Sequence, residues 1–160
     1  MPPRFHKILE AFGHEPVAVR DTDLAAAPDI ELVRAVSSGA YDMLLSLDAH
    51  REAHVWSELL PELAEGRGRL LRIRLGPREP PTIAALTYHW ARPYALLEPM
   101  LADSRLRMIQ IGRSFGSNQR LKGGIRAYTA AQVAALVQQS MTVAPDNSLR
   151  APGSPRLRQS

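Results

Sequence analysis

The chain has 160 residues, 45% hydrophobic and 22% charged, the balance of an ordinary globular domain long enough to bury one full core. It has no cysteine, which excludes disulfides, thiolate metal sites and cysteine nucleophiles; no apolar run reaches the roughly 18 residues of a membrane span, and the N-terminus lacks a signal-peptide pattern, so a cytoplasmic location is the expectation. The net charge of +4, much of it arginine, favours an anionic partner such as nucleic acid.

Phe5, Ile8, Leu9 and Phe12 recur at helical spacing. Pro2 and Pro3 suit the first turn of that helix, and Gly13 is placed to stop it. His14 to Pro16 then turns into a valine-rich run, and Val17 to Arg20 is predicted as a strand ending at Asp21. A loop follows over residues 21 to 28. Asp29 stands as the N-cap or first-turn acid of a helix over Ile30 to Ser38, with Leu32, Val33 and Val36 facing inward and Gly39 ending it. Tyr41 to Leu47 reads as a buried strand that runs into Asp48.

The spacing predicts a helix over His50 to Leu63 and a third strand over Leu70 to Leu75, alternating with Arg69, Arg72 and Arg74. After the proline-rich turn Gly76 to Pro81, Thr82 caps a long amphipathic helix, Ile83 to Leu101, that Pro93 and Pro99 kink or break. Leu106 to Ile111 and Gly124 to Tyr128 are strand-like and joined by a polar loop, which suggests a hairpin at the sheet edge. Thr129 caps a last helix, Ala130 to Gln139. The alternation of helices and strands points to an α/β domain with a parallel sheet over residues 1–140. Residues 141–160, rich in Pro, Ser and Arg, are expected to form a disordered basic tail.

Three aspartates at element ends, Asp21, Asp29 and Asp48, form the first chemical constellation. Carboxylate oxygens suit Mg²⁺ or Mn²⁺, and carboxylates at strand ends are a common way to build such a site. The plainer alternative is a turn residue, a helix cap and a loop starter. His50 and His54 have the i, i+4 spacing that can hold zinc, but no glutamate completes an H-E-x-x-H frame, and they read as surface histidines. His14 reads as a turn residue and His89 as a packed one. Arg113, Arg120, Lys122 and Arg126, among Ser114, Ser117 and Asn118, suit a phosphate-contacting loop or, equally, a solvated hairpin.

The segments PPRFHKILEAFGHEPVAVRD, APDIELVRAV and YDMLLSLDAH carry a family likeness. A helix ending in Gly-His, a valine-rich strand ending in Arg-Asp, an acidic helix opening and a strand ending in hydroxyl-x-Asp follow in order. Over residues 2–50 the chain thereby resembles the bacterial PIN-like domains related to VapC-type toxins, with Ser46 in the place of the family's threonine. The resemblance implies a three-layer α/β domain with a short parallel sheet flanked by helices. It also implies a metal-dependent ribonuclease, the toxin of a toxin–antitoxin system, with RNA and an antitoxin protein as partners; a homodimer is left open as its assembly. Asp29 and Asp48 would be the catalytic, metal-holding acids, with Asp21 a third neighbour and Mg²⁺ or Mn²⁺ as cofactor.

The chain departs from the family in two places. Relatives begin with a strand ending in Asp-Glu or Asp-Asn, whereas this sequence opens on Met-Pro-Pro, so the expectation is a missing N-terminal strand and one carboxylate fewer. Its position 50 is histidine where relatives often have aspartate. Weak Mn²⁺ binding and slow RNA cleavage are expected on these grounds. The alternatives are a catalytically inactive PIN-like binding module and a DNA-binding protein that uses the basic hairpin.

Overall fold

The computed structural model describes residue 2 and residues 4–47, 53–76, 78–113 and 120–142. Their elements are, in chain order, α1 (Phe5–Ala11), α2 (Asp29–Ser37), β1 (Leu44–Ser46), α3 (Ala53–Glu65), β2 (Leu70–Ile73), α4 (Ile83–Ala91), α5 (Tyr94–Ala102), β3 (Leu106–Arg113), β4 (Arg120–Thr129) and α6 (Ala130–Thr142). The strands form one sheet in the order β1-β2-β3-β4. The first three run parallel, and β4 returns antiparallel to β3 as the predicted hairpin.

Strand side chains alternate between two faces, and each face has its own core. Leu71, Ile73, Ile109 and Ile111 pack against Phe5 and Leu9 of α1, Leu86 and Trp90 of α4, and Leu97 of α5. Their neighbours along the strands, Leu70, Met108 and Tyr128, pack against Val33 of α2, Leu59, Leu60 and Leu63 of α3, and Val133 of α6. Three layers result, α/β/α, with every helix burying an apolar stripe. The second face also takes polar side chains inward. Arg72 and Gln110, adjacent in register, are 1% and 0% exposed, and Tyr128 Oη donates to Gln110 Oε1 at 3.3 Å.

Local chemistry sets the boundaries. Thr82 Oγ1 accepts from the Ala85 N–H at the start of α4. Thr129 Oγ1 accepts from Gln132 N while Gln132 Oε1 accepts from Thr129 N, a reciprocal cap that opens α6. The predicted long helix is two helices: Pro93 separates α4 from α5, whereas Pro99 is carried inside α5. Gly13 and Gly39 both take positive φ just beyond α1 and α2, as stop residues do.

Three expectations need correction. The valine-rich run does not form a strand: residues 14–18 carry no ladder, and Val19–Asp21 curl into a 3₁₀ turn. Pro16 has no N–H to offer a ladder, and Val17 is 57% exposed, so the run gains little by pairing. Thr22 Oγ1 donates to Val19 O at 2.7 Å and fixes the curl instead. The strand read from Tyr41 is confined to Leu44–Ser46. Finally, α6 continues to Thr142, two residues into the segment expected as tail; residues 143–160 lie outside the described residues.

Candidate functional site

Because β1, β2 and β3 are parallel, their C-terminal ends share one edge of the sheet, where ligands of open α/β sheets gather. One end of that edge is built by β1 and α2. Asp29 is the first residue of α2, in the first turn where the helix dipole favours a carboxylate, and it is half-buried. Ser46 closes β1, also half-buried and in register with Arg72. Asp29, Ser46, Leu47, Asp42, Arg20 and Thr22 all line a groove of about 1330 Å³ between the sheet and residues 13–24.

The aspartates therefore fall out differently. Asp29 reaches the groove. Asp48 follows Leu47 directly in sequence but, like His50, lies outside the described residues, as do the side chain of His54 and the loop Ser114, Ser117 and Asn118. Asp21 sits on the surface, its carboxylate 3.6 Å from Arg20 Nε with both side chains largely exposed, and it is not part of the groove lining. Such an exposed pair contributes little to stability. Oxygen donors of this kind fit a hard cation. Among the described residues no group of three or more His, Asp or Glu is gathered that could hold one, and the pair implied by the resemblance lies half outside them.

Two residues of the groove lining, Arg69 and His14, are tied into the rest of the fold. Arg69, just before β2, donates from Nε to Leu106 O at 3.1 Å and from Nη2 to Met100 O at 3.1 Å and Asp103 O at 3.0 Å. It thus ties the start of β2 to the C-terminus of α5, where a cation is favoured. Burial, with Arg107 nearby, lowers its pKa, against the pull of Asp103 and Asp42. His14 is packed as well as being a turn residue. Its ring meets Trp90 edge-on at 5.5 Å, and its Nε2 lies 3.2 Å from the Tyr94 hydroxyl, itself 3.2 Å from Phe12 O.

The other end of the edge is built by the turn after β2 and by the hairpin. Arg113 ends β3 half-buried, and the register sets it opposite Arg120, the first residue of β4. Arg126 is exposed and in register with Gln110, so it stands back from the edge; Lys122 lies between on β4. The sequence reading missed the turn beside them. Glu79 Oε2 accepts from the Gly76 N–H at 3.0 Å, and its Oε1 lies 2.9 Å from His89 Nε2 on α4. Burial raises the Glu79 pKa, but the Gly76 N–H, His89 and Arg113 together outweigh it and hold the carboxyl below its ordinary value. Gly76, Arg78, Glu79, Pro80 and Arg113 line a shallow pocket of about 600 Å³. The available signal was Gly-x-x-Glu within a proline-rich turn, a carboxylate three residues on from an N–H that needs an acceptor.

Comparison of the chain with family models, with curated proteins and with solved structures finds no match. Among the described residues no helix is long and apolar enough to cross a membrane.

Proposed function

We propose that this domain is a PIN-like, Mg²⁺- or Mn²⁺-dependent endoribonuclease, the toxin of a toxin–antitoxin pair. One observation carries the reading: Asp29, at the N-terminus of α2, and Ser46 and Leu47, which precede Asp48 in sequence, line the same groove along β1. By the resemblance, Asp29 and Asp48 would be the two carboxylates that serve one cation there. Arg113 on β3 and Arg120 on β4 stand on the same edge, two and three strand spacings from β1, about 10 and 14 Å across the sheet. A single RNA strand laid along the edge meets both ends.

Asp29 and Asp48 are the residues that would hold the ion, which when bound supplies activated water and charge compensation at the phosphodiester. Ser46, two residues before Asp48 in sequence, closes β1 and lines the groove. Arg113, Arg120 and Lys122 neutralise phosphates and position the strand without reading its bases. An antitoxin silences the enzyme by covering the groove.

The test is cleavage of a labelled single-stranded RNA by the purified protein with Mn²⁺ and with EDTA. Slow cleavage that requires Mn²⁺ and is lost in Asp29→Asn supports the reading. Cleavage that survives EDTA or that substitution overturns it.

A further inference from the structure

The outer side of α4 and α5 carries almost no charge. Arg92 and Glu98 are the only Lys, Arg, Asp or Glu between Ile83 and Ala102. A helix side that faces water is ordinarily polar, and this one is not. Leu86, Trp90 and Leu97 turn inward to the core, while Tyr88 is 49% and Leu96 55% exposed. Ala91, Ala95 and Pro99 are exposed beside them. Apolar surface rimmed by charges is typical of contacts between proteins.

Backbone bonds carry this side across Pro93. The Arg92 N–H donates to Tyr88 O at 3.1 Å, and the Leu96 and Leu97 N–H groups both donate to Pro93 O at 2.9 Å. Arg92 is also fixed in advance. Its Nη1 donates to Tyr88 Oη at 2.6 Å, and its guanidinium carbon lies 5.5 Å from the centre of the Tyr88 ring. Tyrosine and arginine are frequent anchors of protein interfaces, and an anchor ordered before binding loses less entropy. Among the described residues neither Arg92 nor Glu98 forms an ion pair within the chain.

The two charges point to the occupant. Arg92 stands three residues before Ala95 and Glu98 three after it. At 3.6 residues per turn they flank Ala95 by about 60° on opposite sides. A twofold axis through Ala95, with α5 antiparallel to its copy, therefore sets Arg92 against Glu98 of the partner subunit, and does so twice. A surface that complements itself in this way fits a second copy of the chain. We infer that the outer side of α4 and α5 is a homodimer interface, with Tyr88 and Leu96 as its apolar contacts and the Arg92–Glu98 pairs at its rim. The inference is independent of the nuclease reading.

The test is sedimentation velocity of the full chain across the micromolar range. Wild type is expected to dimerise with a Kd on the order of 10 µM. Leu96→Arg, which sets a charge among the apolar contacts, is expected to weaken dimerisation at least about tenfold. Arg92→Glu and Glu98→Arg, which set like charges opposite each other, are each expected to cost about tenfold. An equimolar mixture of these two variants is expected to return to within about threefold of wild type, because both cross-pairs are again opposite in sign. All three positions are exposed, so the substitutions leave the monomer folded. The proposal is overturned by wild type that stays monomeric at about 200 µM. A dimer indifferent to Leu96→Arg or to both charge reversals overturns it as well, as does a mixture no more associated than its components.

Discussion

The two ends of the sheet's C-terminal edge are built in opposite ways. At the β1 end, a three-residue edge strand and the first turn of α2 bring oxygen donors to a wide groove, with side chains mostly half-buried. At the other end, an eight-residue strand and a ten-residue strand pair along a hairpin, and a closed turn holds Glu79 2.9 Å from His89 of α4, with Arg113 lining the same pocket as Glu79. A cation site gains from a few donors with room for water, since Mg²⁺ keeps several of its own. A phosphate-holding site gains from charges fixed before the ligand arrives. On the proposed reading, the first end would carry the chemistry and the second would hold the RNA.

That division fails if the two ends cannot be separated by mutation. Asp29→Asn is expected to lower Mn²⁺-dependent cleavage by at least about a hundredfold, more than outer-shell changes at metal sites typically cost, with RNA affinity in EDTA unchanged. Parallel cleavage and anisotropy measurements check this; a matching loss of affinity would merge the two ends.

The arginine end depends on its backbone more than the β1 end does. Gly112, next to Arg113, has φ +95° and lies so close that a Cβ would collide with Arg74 O. Gly112→Ala is expected to destabilise the protein by about 2 kcal/mol, from the positive φ and the collision together. Thermal or urea unfolding reads the cost, and a change below about 0.5 kcal/mol would show that the hairpin adjusts freely.

The smallest effect concerns acid. Glu79 is held below its ordinary value of 4.5, so its contribution is present above that pH and is lost as pH falls through its lower folded value. Glu79→Gln should therefore flatten the fall in melting temperature below about pH 4.5 while leaving the curve at pH 7 nearly parallel to wild type. An unchanged acid limb would separate Glu79 from the turn it is taken to hold. Asp103 behaves alike on the surface, since hydrogen bonds from the Arg105 side chain and N–H lower it to about 2.

Much of the layout was legible because it follows from period and punctuation. Phe5 and Leu9, Val33 and Val36, and the caps Thr82 and Thr129 lie where spacing and capping chemistry put them. The misreadings have physical causes. Residues 17–20 look like a strand by valine content, yet a strand needs a neighbour to pair with, and among the described residues none runs beside them. The burial of Arg72 beside Gln110 is not legible locally either, because it follows from helices covering both faces of the sheet. Asp29 could be singled out because a helix-opening acid is local. The Glu79–His89 contact could not, because it joins a turn to a helix ten residues on and no local rule predicts it.

The central claim is that Asp29 and Asp48 share one cation. Calorimetric titration of Mn²⁺ into wild type, Asp29→Asn, Asp48→Asn and Asp21→Asn addresses it most directly. Weak binding of one ion in wild type, abolished by either of the first two substitutions and only diminished by the third, is the expected result. Mn²⁺ binding of unchanged affinity in Asp29→Asn or in Asp48→Asn would contradict it.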